Sequence, residues 1–305
     1  MQDQTTFVLS NASGLQEFET RFAYFGARYV KISGWPANKQ DPSRDAMTCY
    51  FVHTSLSRKS SIQFFSQDGT DTATILNGIH DITLRSALSN FVSTPTDCPS
   101  REKRGWTGDG QSAAETLIYS FDMSPVYSKW LGDIVDAQQC NYQVKQRTCP
   151  TNNPFCREKG DGSNIPEIAP FMFGGVLDGC ANGSDPAWGS GFIAIYDWVY
   201  KYYGDVQTLE WHYGAAAAYM RYLLQFVDAT PSGTCLLDLS YPTTRYGDWC
   251  APLPYRDVMA KHTSNLINGF FWLKQLRIMA AASKKLGLTE DANLWIKLAK
   301  CGALS

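Results

Sequence analysis

The side chains with the clearest chemical potential lie in a polar segment, DCPSREKRGWTGDGQ at residues 97–111. Three carboxylates, Asp97, Glu102 and Asp109, stand here beside Trp106, and the segment has no hydrophobic periodicity. Sugar hydrolysis uses such groups, because one carboxyl group protonates the leaving oxygen, others bind hydroxyl groups, and an aromatic face stacks on the sugar. The simpler interpretation is a charged, solvated loop, but a tryptophan is seldom left in such a loop without a contact.

The backbone of this segment is predicted to be irregular. Pro99 favours an extended Cys98, and Gly105 and Gly108 are expected to free the backbone on either side of the tryptophan. A helix is predicted to follow from Ser112, where the sequence SAAE has the pattern of a capping box. The carboxylates are therefore expected on a loop that leads into a helix.

The elements that must hold this loop are predicted to be helices. Periodicity of about 3.6 residues recurs along the chain. Besides the helix that follows the motif, it predicts helices at residues 77–91, 125–137, 188–203, 206–227, 263–286 and 289–300. Because several of these segments are joined by short turns and others by long loops, they indicate a helical hairpin array or an α/α barrel, with loops at one end to build a site.

The chain divides into three parts. Residues 1–35 alternate polar and apolar side chains and predict two short strands around Gly26, as the end of a β domain. Residues 36–75 are predicted to be a linker with one strand near residues 49–53. Residues 76–305 are predicted to form the helical domain, with a cysteine-rich insertion at about 140–186.

Composition excludes several classes of function. The 305 residues carry 27 basic and 29 acidic side chains, a net charge of −2, and no basic run that favours nucleic acid. The longest apolar helical stretch, at 214–227, contains Arg221 and is too short to span a bilayer. The cysteine spacings and the scattered histidines do not match zinc sites, so neither a metal nor a cofactor is expected.

Nine cysteines and two glycosylation sequons, at Asn11 and Asn182, indicate a secreted protein with disulfide bonds. The first residues lack a signal-peptide pattern, so the chain is expected to begin downstream of the start of the gene product. Cys235 and Cys250 bracket one loop and are predicted to bond, while Cys98 is predicted to stay a buried thiol. Four further cysteines are expected to pair among themselves: Cys140, Cys149, Cys156 and Cys180.

The motif DCPSREKRGWTGD resembles the signature of the glycoside hydrolase family 78 α-L-rhamnosidases. Further segments resemble that family over most of residues 17–300: FAYFGARYVKISG, DPAWGSGF, YGDWCAP and HTSNLINGFFWLKQLRIMAAASKKLG. The resemblance implies a mainly α fold, part of an (α/α)6 barrel catalytic domain preceded by the last strands of a β-sandwich domain. It implies inverting removal of terminal α-L-rhamnosyl residues from glycosides or polysaccharides, with a rhamnose-containing glycoside as the partner.

The resemblance also implies roles for the motif residues. Glu102 matches the general acid that protonates the glycosidic oxygen. Asp97 and Asp109 match the residues that hold the rhamnose hydroxyls, and Trp106 lines the sugar pocket. Arg101 is expected to orient the carboxylates.

Weaker matches extend the pocket. Trp188 and Trp249 are expected to form aromatic walls, and Asp248 to supply a polar group; the alternative for these residues is packing in the core or a turn. The remaining tryptophans within helical patterns are predicted to be core residues: Trp130, Trp198, Trp211 and Trp272.

Two other functions fit the same residues. A non-catalytic carbohydrate-binding protein, or an inactive fragment of such an enzyme, uses the tryptophans and acids for recognition alone. A hydrolase or lyase acting on uronic acids needs a Tyr/His/Arg site, and His212 and His262 have no such companions in sequence. Because no stretch matches the family's general base and the helical segments are too few for six pairs, the chain is expected to be an incomplete enzyme.

Overall fold

A computed structural model describes residues 5–8, 10, 14–36, 39–67, 70–148, 164–170, 185–227, 233–237, 246–249, 251–252, 254 and 256–303. Helices dominate these ranges: α1 (Thr72–Ser89), α2 (Thr107–Ser120), α3 (Ser124–Thr148), α4 (Pro186–Tyr203), α5 (Val206–Leu224), α6 (Arg256–Lys285) and α7 (Thr289–Gly302). A short antiparallel pair, β1 (Phe91–Val92) and β2 (Thr94–Pro95), joins α1 to the motif segment. The prediction of a mainly helical fold is confirmed.

The predicted helices are found, but several ends differ. α2 begins at Thr107 rather than at Ser112, because the extended backbone ends at Trp106; the Ser112 hydroxyl donates to the Gly108 carbonyl inside the helix. α3 continues to Thr148, into the region predicted as an insertion. The SAAE capping-box pattern therefore did not mark the start of α2.

Helix α4 lies at the centre of the described fold, packed against α2, α3, α5 and α6. Its sequence fits this place, since most of its side chains are apolar or small and most are buried. The Asp185 carboxylate accepts from the Ala187 N–H at 2.9 Å and caps the first turn, and Gly204, with φ of 69°, ends the helix in the left-handed conformation. Both signals are readable in the sequence.

The first turns of α2 and α4 approach closely because small residues face each other. A Cβ at Gly191 would lie 2.4 Å from the Thr107 carbonyl oxygen, so only glycine fits there. The Ser190 hydroxyl lies 2.8 Å from Gln111 Oε1, and both residues are buried. The motif helix is thereby fixed against the central helix of the fold.

Buried tryptophans anchor the core and hold loops to it. Trp130 and Trp272 are fully buried as predicted, and each indole N–H donates to a loop carbonyl, that of Ala169 at 2.8 Å and that of Cys235 at 3.0 Å. Trp198 is partly buried against the same core. For Trp211 the prediction is wrong, since this residue is 70% exposed on α5.

The strands predicted in the first part of the chain are not observed. Residues 14–36 and 39–57 contain no strand, and the chain near Cys49 is exposed and has no regular secondary structure. The alternating pattern needs a neighbouring strand to satisfy its backbone groups, and none lies beside it among the described residues. That residues 1–35 belong to a β domain stays a prediction.

The predicted Cys235–Cys250 bond is wrong, because Cys235 bonds to Cys301 at the end of α7. The two residues are 66 positions apart in sequence, and packing of α7 on α6 brings them together. Cys98 is a free thiol as predicted, although only half-buried. The other predicted pairings and both sequons concern side chains outside the described residues. No helix in the described ranges has the length and apolar character needed to cross a membrane.

Candidate active site

The motif segment closes on itself between Asp97 and Arg104. The Asp97 N–H donates to the Arg104 carbonyl oxygen, and the Arg104 N–H donates to Asp97 Oδ1, each at 3.0 Å. The turn also needs Lys103 in the left-handed region, with φ of 56°. Asp97 thus fixes the loop that carries Glu102, so it stabilises the structure in addition to any role in binding.

Asp97, Cys98 and Glu102 converge, with one side-chain atom from each lying within 4.8 Å of the others. The Cys98 thiol donates to Asp97 Oδ2 at 2.9 Å and accepts from the Glu102 N–H at 3.3 Å. A thiolate and carboxylates are possible metal ligands. Here the thiol makes hydrogen bonds within the loop instead. Because exposed acidic groups are common without a bound ion, the cluster supports no metal assignment.

The Glu102 carboxylate is oriented by the motif tryptophan. Trp106 Nε1 donates to Glu102 Oε2 at 3.0 Å, and Arg101 Nη2 lies 3.7 Å from Glu102 Oε1. The arginine side chain is 74% exposed, so this ion pair is weak. Lys103 is turned away and donates to the carbonyl oxygen of Tyr24 at 2.6 Å. Glu102 is therefore held by the indole N–H with little competition from neighbouring cations.

Asp109 lies in the first turn of α2, not on the loop where it was expected. Its side chain borders solvent, yet burial of its carboxyl group, and after that the negative charges of Asp97 and Glu102, raise its pKa. Asp109 therefore lies close enough to Asp97 and Glu102 to be affected by their charges.

Gly105 and Gly108 serve close approach rather than the backbone freedom expected of them. Neither has a positive φ. A Cβ at Gly105 would lie 2.0 Å from the Ala169 carbonyl oxygen, and one at Gly108 would lie 2.7 Å from the Trp188 ring. Absence of a side chain at Gly108 thus lets Trp188 lie directly on the first turn of α2.

Residues 164–170 form a wall behind the motif, although they fall inside the predicted insertion. The Thr107 N–H donates to the Glu167 carbonyl oxygen at 2.8 Å, and the Ala169 N–H donates to the Gly105 carbonyl oxygen at 2.9 Å. This segment and Glu167 were missed by sequence reasoning, since no motif marks them and roughly sixty residues separate them from the partners they bind.

The predicted aromatic walls meet around a tyrosine that sequence reasoning did not select. The Tyr246 ring lies 4.4 Å from that of Trp188, 5.3 Å from that of Trp249 and 6.4 Å from that of Trp106, measured between centroids. Its position directly before the GDW triplet was the available signal. Three tryptophans from distant parts of the chain therefore border one pocket-like aromatic cluster.

Among the expected site residues, Asp248 has the fewest contacts with the aromatic cluster and the motif. It lies on the turn that carries Trp249, and its N–H donates to Thr263 Oγ1 at 2.8 Å. Its side chain is exposed, and its carboxylate makes no hydrogen bond with the described residues. The turn interpretation of the GDW triplet accounts for these contacts.

Comparison with known proteins places this chain in a family. Residues 70–301 match the model of the bacterial alpha-L-rhamnosidase six-hairpin glycosidase domain. An alpha-L-rhamnosidase of Streptomyces avermitilis is 30% identical over 237 residues, 77% of this chain and 18% of the relative. The chain thus spans about a fifth of that relative's length.

Solved structures show the same likeness. The alpha-L-rhamnosidase from Dictyoglumus thermophilum matches with a TM-score of 0.62 and 28% identity, over 82% of this chain and 23% of that one. The enzyme from Aspergillus terreus matches with a TM-score of 0.69 and 24% identity, over 94% of this chain and 29% of that one. The chain belongs to the bacterial alpha-L-rhamnosidase six-hairpin glycosidase family.

Proposed function

We propose that this chain carries the general acid of an α-L-rhamnosidase active site. The enzyme removes terminal α-L-rhamnosyl residues from glycosides or polysaccharides with inversion of configuration. The observation that supports this most is the position of the Glu102 carboxyl group. The Trp106 indole N–H donates to it at 3.0 Å, and its charge, like that of Asp97, affects Asp109. A carboxyl group oriented in this way protonates the glycosidic oxygen as the bond to the leaving group breaks.

Asp97 and Asp109 are proposed to bind the sugar hydroxyls. Asp97 accepts from the Arg104 N–H and from the Cys98 thiol, and an ionised carboxylate still has lone pairs left for a hydroxyl donor. Asp109, whose pKa is raised by burial and by its acidic neighbours, becomes more stable when a hydroxyl group donates to it. Binding of sugar hydroxyls therefore offsets part of the electrostatic repulsion among the carboxylates of the free site.

Trp106, Trp188 and Trp249 are proposed to form the apolar surface on which the deoxysugar lies. Trp249 is 59% exposed, and burial of such a ring against a sugar removes apolar area from water. Arg101, on the solvent side of Glu102, is proposed to steady that carboxylate when substrate excludes water.

The protein is further proposed to work outside the cell. The Cys235–Cys301 bond is of the kind that persists in an oxidising compartment, and the Asn11 and Asn182 sequons fit secretion. Glycosylation of those two sites is part of the same proposal.

Sugar binding tests the proposal directly. Titration of the protein with L-rhamnose, followed by tryptophan fluorescence, is expected to show saturable binding that D-glucose does not reproduce. Asp109→Asn is expected to weaken this binding about tenfold, the effect of losing one charged hydrogen bond. Asp136→Asn, at an exposed position on α3, serves as the matched control. Absence of saturable L-rhamnose binding, or equal affinity for D-glucose, overturns the proposed function.

A further inference from the structure

Glu167 connects three elements of the aromatic site. Its Oε2 accepts from the Tyr246 hydroxyl at 2.9 Å, and its Oε1 accepts from the Asp185 N–H at 3.2 Å. Its carbonyl oxygen accepts from the Thr107 N–H at 2.8 Å and from Thr107 Oγ1 at 3.1 Å. A single residue thereby holds the start of α2, the start of α4 and the turn at Tyr246.

Each of these elements carries one of the tryptophans. Trp106 directly precedes Thr107, Trp188 lies three positions after Asp185, and Trp249 lies on the turn that begins at Tyr246. The distances between these rings therefore depend on the contacts that Glu167 makes.

Tyr246 is the ring against which the tryptophans pack. A tyrosine ring swings through space by rotation about the Cα–Cβ bond, and a hydrogen bond from its hydroxyl to a carboxylate restricts that rotation. Since the Trp188 and Trp249 rings lie 4.4 and 5.3 Å away, rotation of Tyr246 changes the surface that both tryptophans present.

We propose that Glu167 and Tyr246 act as a positioning pair, which sets the spacing of the three tryptophans and thereby fixes the sugar relative to Glu102. The inference rests on the proposed function and assigns the pair no direct role in the chemistry. Without the Tyr246–Glu167 bond the same rings remain present, but their arrangement is no longer unique, so sugar affinity falls before stability does.

A purely structural role makes a different prediction. If the Tyr246 hydroxyl only satisfies a partly buried carboxylate, its removal lowers the melting temperature and leaves sugar affinity unchanged. A matched control exists on the surface, where the Tyr202 hydroxyl donates to Glu115 Oε1 at 2.6 Å. Tyr202 lies at the end of α4 opposite the end that carries Trp188.

The experiment compares L-rhamnose affinity and melting temperature in the full 305-residue protein. Tyr246→Phe keeps the ring and removes the hydrogen bond, and is expected to raise the Kd for L-rhamnose about tenfold. Tyr202→Phe is expected to leave the Kd unchanged. A change in Kd for Tyr246→Phe that is no larger than that for Tyr202→Phe overturns the inference, whatever happens to the melting temperature.

A second pair of variants keeps the inference testable if Tyr246→Phe folds poorly. Glu167→Gln retains a side-chain oxygen for the Tyr246 hydroxyl, while Glu167→Leu retains none. The glutamine variant is expected to stay within about threefold of the parent Kd, and the leucine variant to lose about tenfold. Equal Kd values for both variants contradict the inference. Failure of the parent protein to bind L-rhamnose instead overturns the proposed function, and the inference with it.

Discussion

Lys103 donates to the carbonyl oxygen of Tyr24 at 2.6 Å, and its ammonium group lies 4.6 Å from the centroid of the Tyr24 ring. This contact joins the motif loop to a segment 79 residues earlier. Burial, and then the charges of Asp97 and Cys98, raise the pKa of Tyr24, which shows that the tyrosine lies beside the motif's acidic groups.

Lys103→Met is expected to release the segment around Tyr24, because it keeps the apolar stem and removes the charge. Loss of about 1–2 kcal/mol of local stability predicts chymotryptic cleavage near Tyr24 that is about 5–30-fold faster. Mass spectrometry of the fragments measures the rate, and Lys31→Met, at an exposed position, is the control. Equal cleavage of both variants contradicts the docking role of Lys103.

If the intact enzyme is assayed, Glu102→Gln is expected to reduce hydrolysis of rhamnosides that have poor leaving groups by about 10²–10⁴-fold, since glutamine cannot protonate the departing oxygen. An activated aryl rhamnoside is expected to lose less, because its leaving group needs less protonation, and L-rhamnose binding is expected to persist. Steady-state rates on both substrates measure the effect. Glu210→Gln, at an exposed position on α5, is the control. An unchanged rate on the poor leaving group removes Glu102 from the mechanism.

Gly108→Ala is expected to displace the Trp188 ring, which a Cβ would approach to 2.7 Å. Overpacking of this kind predicts a loss of about 1–3 kcal/mol in the free energy of unfolding, together with weaker L-rhamnose binding. Gly214→Ala is the matched control on α5, where a Cβ meets nothing within 4 Å, and is expected to gain about 0.5–1 kcal/mol. Urea denaturation separates the two, and a stabilised Gly108→Ala variant contradicts the close packing.

Asp109→Asn is expected to raise the melting temperature at neutral pH. Because the folded state holds the Asp109 proton more tightly than the unfolded chain does, this carboxyl group lowers the free energy of unfolding increasingly as the pH rises above 3.8. Asparagine does not ionise, so the difference from the parent is expected to vanish below pH 3.8. Calorimetry across this range tests the sign, and a variant less stable than the parent at neutral pH contradicts it.

Asp205→Ala is the opposite control for that pH series. Burial alone would raise the pKa of Asp205, but hydrogen bonds from Thr208, Ser128 and the Gln207 N–H together outweigh it and lower the pKa. The carboxylate therefore stabilises the folded state above pH 3.8, the ordinary pKa of an aspartate, and this contribution is lost as the pH falls. Loss of this helix cap is expected to destabilise the protein by about 0.5–2 kcal/mol at neutral pH.

The disulfide gives a covalent test of the fold. Non-reducing peptide mapping is expected to link the Cys235 peptide to the Cys301 peptide. The bond closes a loop of 66 positions, which the chain-entropy model equates with about 4 kcal/mol of the free energy of unfolding. Cys301→Ala is therefore expected to lower the melting temperature substantially. Recovery of Cys235 linked to Cys250 contradicts the placement of α7.

The sequence was most informative where a local rule decides the structure. The end of α4 at Tyr203 was predicted and follows from Gly204, and the family resemblance carried by the motif is confirmed. The start of α4 was predicted at residue 188, because the cap formed by Asp185 was not recognised. It was least informative where distant segments meet. Cys235 is nearer to Cys250 in sequence but lies beside Cys301 in the structure, because α7 returns along α6. Glu167 and Tyr246 escaped notice for the same reason, since their importance arises only from three-dimensional contacts.

The close packing at the first turn of α2 also determines where this site can be altered. A Cβ at Gly105, Gly108 or Gly191 would collide with a neighbouring residue. Side chains therefore cannot be added there without moving Ala169, Trp188 or Thr107, respectively. The exposed positions Arg101 and Asp248 carry no such restriction. Libraries intended to change aglycone preference are therefore best directed to Asp248, with the glycines left untouched and Arg101 kept for its proposed contact with Glu102.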